Sequence, residues 1–274
     1  MIRVVLTALL SLLGLAPALA PSTNASAWAP AATAAIHPGV QTFTAGAQCT
    51  ANFIFEDGAT VYIGQAAHCA STGNNTQTNG CSTKSLPLGT AVQVTGAAHP
   101  GTLAYSSWIT MQSLGEKNAN TCSYNDLALV QLVPADAARV NPSIPHWGGP
   151  TGLNTTGAPM LSLVYSYGNS ELRQGIALLS PKEGVSMGDV GGGWEHEVNT
   201  VTPGIPGDSG SGFLDASGRA LGILSTLGIA LPQVATNGVG DLSLELDYMH
   251  AHGNAATLVP GTEPFNGSQL PLGI

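Results

Sequence analysis

Positive charge is what this chain has least of. Lys and Arg together number 7 among 274 residues, and they are scattered, so no basic stripe exists to neutralise phosphates. With 16 acidic residues the formal net charge is −9, which excludes a nucleic-acid partner and disfavours an anionic membrane surface. Charged residues of both signs amount to 8%, and aromatics to 5%. Disorder driven by charge is therefore excluded as well, because many short apolar runs remain to be buried. No Cys-x-x-Cys pair is present, which argues against a structural zinc site, and His250-x-His252 has no third ligand nearby. The expectation is no metal and no cofactor. Beyond the first twenty residues no apolar run approaches the length of a membrane helix, and 3.6-residue periodicity is scarce throughout.

The one long apolar run is at the start. "MIRVVLTALLSLLGLAPALA" (1–20) combines one Arg, an apolar stretch and a small-residue end, the layout of a secretory signal peptide. Cleavage after Ala20 would leave Pro21 first, so "ASA" ending at Ala27 is an alternative. Residues 21–35 read as a flexible leader or short pro-segment. Export to an oxidising compartment makes two disulfides the expectation for Cys49, Cys69, Cys81 and Cys122, and spacing alone permits three pairings.

From Ile36 onward, strand-like runs recur between turn signals: "ANFIFEDGATVYIGQAAHC", "TAVQVTGAA", "LALVQLV", "MLSLVYSYG", "IALLS" and "GFLDASGRALGILST". Hairpins are expected around "EDG" and "ASG". The best helix candidate is "LSLELDYMHAHG", stopped by Gly253. Many short strands and few helices imply an all-β barrel or sandwich.

The stretch "PGDSGSG" places Ser209 in a glycine-rich turn, and by itself a turn is all it need be. A hydroxyl is a poor nucleophile at neutral pH; it needs a base within reach, and the base needs an orienting group. Of His37, His68, His99, His146, His196, His250 and His252, only His68 has a distinctive setting. In "VYIGQAAHCA" it follows an apolar strand and precedes a cysteine able to pin it. The orienting acid should be buried, and Asp126 in "SYNDLALVQLV" is the Asp that directly precedes a long apolar run.

Together "GQAAHCA", "NDLALVQL" and "PGDSGSG", in the order His, Asp, Ser, resemble the chymotrypsin-like (trypsin-like) serine protease family, with a layout similar to secreted bacterial members. The resemblance implies two six-stranded antiparallel β-barrels with a short C-terminal helix. The first, 36–140, would carry His68 and Asp126; the second, 141–250, would carry Ser209, leaving 251–274 as a tail. It implies a secreted, extracellular serine endopeptidase acting on protein or peptide substrates, without a membrane anchor after signal removal, and monomeric. Ser209 would be the nucleophile, His68 the general base and Asp126 its orienting acid, with the Gly207 and Ser209 N–H groups forming an oxyanion hole. It also implies Cys49–Cys69 as the bridge beside the base, which leaves Cys81–Cys122.

Where animal members pair the Asp before the serine with a new chain terminus, this chain has "IHPGV" and no basic residue ahead of it. Asp208 should then pair internally, and Arg173 is the expected partner among Arg139, Arg173 and Arg219. Pro203 stands where the family places an acid that selects Lys or Arg, so cleavage after basic residues is not expected. Ser225 matches the serine of the substrate strand, and Leu227 falls where many members keep Gly, implying a shallow or obstructed pocket. "GGGWEHEV" could place Glu195, His196 or Glu197 near the pocket, but a solvated acidic loop is the expected reading. A nucleophile elbow of α/β-hydrolase type is excluded by "GDSGS" and by residue order. The alternative from another class is a catalytically silent protease-fold binding protein with a blocked pocket.

Overall fold

The computed structural model describes residues 28–73, 77–228 and 236–271. The signal segment 1–20, both cleavage sites and the first part of the leader lie outside the described residues. Two β-systems dominate. The N-terminal half comprises β1 (Gln41–Thr44), β2 (Ala47–Thr50), β3 (Ile54–Asp57), β4 (Thr60–Ala66), β5 (Ala91–Val94), β6 (Gly101–Ser106) and β7 (Leu127–Gln131). The C-terminal half comprises β8 (Leu163–Tyr167), β9 (Pro181–Val190), β10 (Glu195–Thr200), β11 (Gly212–Asp215), β12 (Ala220–Leu227) and β13 (Thr236–Asp241). These last six close into an antiparallel barrel in the order β10-β13-β12-β11-β8-β9.

The first half is an eight-stranded sheet in the order β14-β3-β4-β7-β6-β5-β1-β2. Its eighth strand is β14 (Thr257–Leu258), which comes from the tail and pairs with β3. Tail residues Ala256 and Val259 are buried, Val259 in the core of the N-terminal sheet and Ala256 in the core shared by the two halves. The hairpins expected at "EDG" and "ASG" are β3–β4, with Asp57 opposite Thr60, and β11–β12.

Helices are few. α1 (Ser107–Leu114) ends at Gly115 in the left-handed region; α2 (Ala119–Tyr124) is capped by the Asn118 side chain, and α3 (Pro134–Ala137) begins with a proline. α4 (Leu242–Ala251) starts at Asp241, whose carboxylate accepts from Leu244 N, satisfying one of the free first-turn amides. Among the described residues no helix is long and apolar enough to cross a membrane.

Apolar clusters fill each half and join the two. One fills the N-terminal sheet around Ile36, Ile63, Leu103, Trp108 and Val130, and a small one sits inside the barrel around Phe213 and Val239. The third joins Phe53, Phe55 and Leu129 from the first half to Trp147, Tyr165, Leu214 and Leu246 from the second. Each such fully buried side chain contributes about 1.5–3 kcal/mol. This shared core fixes β4 and β7 against the β11–β12 hairpin, across which the functional groups meet.

Buried polar bonds add precision. His196 on β10 is fully buried; its Nδ1 lies 2.6 Å from Asp189 Oδ1 and its Nε2 2.9 Å from Asp241 Oδ2. Carboxylates only accept, so both ring nitrogens carry protons and the ring is an imidazolium. Burial alone lowers its pKa, but the two carboxylates outweigh that and raise it above the ordinary histidine value. One side chain thereby ties β9 and β10 to the N-cap of α4.

Candidate active site

β4 leads into a 3-10 turn, Ala67–Ala70, that contains His68 and Cys69. Cys69 is bonded to Cys49 on β2, and Cys81 to Cys122. The turn is thus held covalently to its neighbouring strand. Asp126 sits between α2 and β7 and is buried. Its Oδ1 accepts from His68 N at 2.8 Å, and its Oδ2 lies 2.6 Å from His68 Nδ1. Ser225 Oγ donates to the same Oδ2 at 2.6 Å. Because Oδ2 accepts, Nδ1 bears the proton, and a neutral ring keeps its lone pair on Nε2. The His68 side chain is 26% exposed. Burial depresses the imidazole pKa, while the charge of Asp126 and its hydrogen bond overcome this and raise it.

Ser209 is flanked by two glycines in conformations that L side chains rarely adopt, Gly207 at φ +95° and Gly210 at φ +86°. A Cβ on Gly210 would lie 2.8 Å from Ala66 N and 2.7 Å from Thr50 O. This close approach seats the serine loop against β2 and the end of β4, two residues before His68. Thr50 N donates to Ser209 O at 2.8 Å, and Thr50 Oγ1 to Gly207 O at 2.8 Å. Among the described residues the backbone N–H groups of Gly207 and Ser209 donate to no acceptor, and no hydrogen bond joins Ser209 Oγ to the His68 ring.

Asp208 is fully buried beneath this loop. Its Oδ2 accepts from Arg173 Nη2, from Lys182 Nζ at 3.0 Å and from Ile205 N at 3.1 Å; its Oδ1 accepts from Ser170 N. Arg173 is the partner expected from the sequence. Lys182 is new: fully buried on β9, it also donates to Thr202 O and Pro203 O. Burial lowers its pKa to about 8 despite the Asp208 charge. Although burial opposes ionisation of Asp208, the two cations hold its carboxyl below the ordinary range. Pro203 itself presents its carbonyl to Arg173 and Lys182, and Leu227 is half-buried at the end of β12.

One further acid escapes the sequence reading. Glu245 on α4 is fully buried, and its Oε1 accepts from Asp126 N at 2.8 Å. Burial pushes its carboxyl well above the ordinary range. Glu245→Leu would leave the Asp126 amide unpaired, and about 1–3 kcal/mol of stability should be lost; Glu245→Gln keeps the acceptor and should lose little. Chemical denaturation of the two variants checks this. One expectation is corrected, that for "GGGWEHEV". Glu195, His196 and Glu197 are not a solvated loop: they form β10, in the barrel wall, with Glu195 and His196 buried.

Comparison with known proteins is informative at the level of structure alone. No family model matches this chain, and no curated protein matches it by sequence. Among solved structures, Thermobifida fusca protease A superimposes with a TM-score of 0.53 at 17% identity, covering 83% of this chain and 100% of its own. The fold is chymotrypsin-like. Two other serine-protease neighbours share this chymotrypsin-like fold. A glutamic acid-specific serine protease, described as using a histidine triad in substrate binding, has a TM-score of 0.52 at 16% identity and covers 82% of this chain and 100% of its own. A Glu endopeptidase has a TM-score of 0.52 at 14% identity, covering 83% and 96%. On the chymotrypsin-like fold, the groups described above lie between the two β-systems.

Proposed function

We propose that this protein is a serine endopeptidase, exported after loss of its first segment, that hydrolyses protein or peptide substrates through an acyl-enzyme. The observation that carries the reading is the bond network His68 Nδ1–Asp126–Ser225, set beside a serine loop whose Gly207 and Ser209 amides are unengaged among the described residues. In the reaction Ser209 Oγ attacks the scissile carbonyl and gives its proton to His68 Nε2. The carbonyl oxygen becomes an oxyanion held by the Gly207 and Ser209 N–H groups, which cost no reorganisation because they are already oriented by the buried Asp208. The imidazolium then protonates the leaving amine, the C–N bond breaks, and a water repeats the sequence on the ester. Asp126 keeps the Nδ1 tautomer and stabilises the charge on the ring.

The two disulfides favour an oxidising compartment, and Pro203 in place of an acid disfavours cleavage after Lys or Arg. A fluorophosphonate probe should label Ser209 in the oxidised wild-type protein, and Ser209→Ala should remain unlabelled by mass spectrometry. Wild-type protein that takes up no probe and cleaves nothing in a diverse peptide library would instead establish a protease-fold binding protein. The half-buried Leu227 is the residue that would obstruct substrate in that case.

A further inference from the structure

Next to the Asp126 end of the triad lies a cavity of about 300 Å³, whose lining includes Tyr124, Glu195, Glu197, Thr226, Gly228 and Gly238. It is large enough for a long side chain. Its two carboxylates have no cation within ion-pair distance among the described residues. Glu195 is only 8% exposed. Its Oε2 accepts a long 3.4 Å bond from Thr226 Oγ1, and its Oε1 accepts no hydrogen bond among the described residues. Gly238 permits this placement, since a Cβ there would come within 2.3 Å of Glu195 Oε2. Burial first, then the neighbouring Glu197 and Asp126 charges, raise the Glu195 pKa to about 7. A buried carboxylate without a counter-ion, here Glu195 beside the half-buried Glu197, is costly, and a desolvated cation is the partner that such a site lacks.

The position of the cavity says where that cation would come from. Thr226 follows Ser225 on β12, and Tyr124 precedes Asp126 by two residues. Ser225 matches the serine of the substrate strand in the resemblance above, and on the endopeptidase reading the acyl side of a substrate would run along β12. We propose that this cavity is a subsite for the cationic side chain of a Lys or Arg residue lying upstream of the scissile bond. The proposal rests on the endopeptidase reading above, and it is independent of the residue at the cleaved bond itself, where Pro203 stands. Glu195 and Glu197 would form charge-assisted bonds to the cation, and Tyr124 would offer its ring face or its hydroxyl.

The test compares arginine with citrulline, its uncharged near-isostere, at each of the three positions before the cleaved residue in internally quenched peptides. Wild-type protein should show at least a tenfold higher kcat/KM for arginine at one position, and Glu195→Gln/Glu197→Gln should bring that ratio close to one. Equal rates for arginine and citrulline at every position would overturn the proposal, as would an undiminished ratio in the double variant. If the protein fails to take up fluorophosphonate and cleaves no peptide, the endopeptidase reading fails separately. Calorimetry of the Ser209→Ala chain with acetyl-Arg-Ala-Ala-amide and its citrulline analogue then decides the site. Binding at least tenfold tighter for arginine sustains it, and equal or undetectable binding of both sinks it.

Discussion

Asp126→Asn is expected to lower kcat by about 10⁴-fold while leaving the protein folded. The carboxylate accepts three hydrogen bonds, from His68 N, His68 Nδ1 and Ser225 Oγ. An amide that keeps its oxygen toward His68 N must turn its NH₂ toward Nδ1, and an NH₂ group can only donate. The neutral ring then carries its proton on Nε2 and cannot accept one from Ser209. The pH dependence should change too. In the wild type burial lowers the His68 pKa, but the Asp126 charge and its hydrogen bond together overcome this and hold it above its ordinary value, so kcat/KM should rise with pH along a limb displaced upward. Removing the charge leaves burial alone, and the limb should move to lower pH.

The same linkage has a stability side. Because the folded-state pKa of His68 is raised, its contribution is fully present below the unfolded pKa and is lost as pH rises through the folded value. Activity and this part of stability therefore run in opposite directions across one window. Steady-state pH profiles and denaturant titrations of both proteins check the pair of effects. An Asp126→Asn rate within tenfold of wild type would refute the assigned role. Ser209→Ala should lose at least as much activity, because the other groups act only through the serine.

Replacing Asp208 with Asn should cost about 3–5 kcal/mol of stability, a large share of what a domain has. Its carboxylate faces both Arg173 and Lys182, and all three side chains are buried or nearly so. Without it, two cations share a site whose other acceptors among the described residues are the carbonyls of Thr202 and Pro203. Lys182 is the cation that can yield, since burial already brings its pKa to about 8. The deficit of Asp208→Asn should accordingly shrink as pH is raised from 7 to 9, or when Lys182→Met is added. The lowered pKa of Asp208 itself means that its contribution is present above the unfolded carboxyl value and disappears as pH falls through the folded one. Catalysis should suffer with stability, because Ile205 N and Ser170 N also bond Asp208, and these bonds shape the loop that carries the Gly207 and Ser209 amides. Equilibrium denaturation at both pH values measures this; a loss below 1 kcal/mol at pH 7 would show that the cluster is relieved by water.

Much of the fold was legible because its signals are short-range. The β3–β4 and β11–β12 hairpins follow from Gly58 and Gly218 at positive φ between alternating runs, and α4 from Asp241 at its cap and Gly253 beyond its end. α1 was not, since "SWITMQSL" has almost no amphipathic pattern and is held by the packing of Trp108 and Met111 in the core. β14 escaped for a related reason: two residues in a Pro/Gly-rich tail become a strand only because β3 presents a free edge.

The sequence by itself determined the groups whose demands are local. His68 sits where a strand runs into a cysteine that can be bridged, Asp126 before a buried strand, and Ser209 between glycines that only a sharp turn requires. Tertiary structure alone decided their surroundings. Lys182 lies in "SPKEG", Glu245 in "LSLELD" and Glu195 in "GGWEHEV", contexts that read as solvent-facing charge. Their partners are 26 residues away for Lys182 and Asp208, 119 for Glu245 and Asp126, and 31 for Glu195 and Thr226. A charge can be buried only where another element supplies its counter-charge or hydrogen bond, and nothing along the chain records which distant segment will do so.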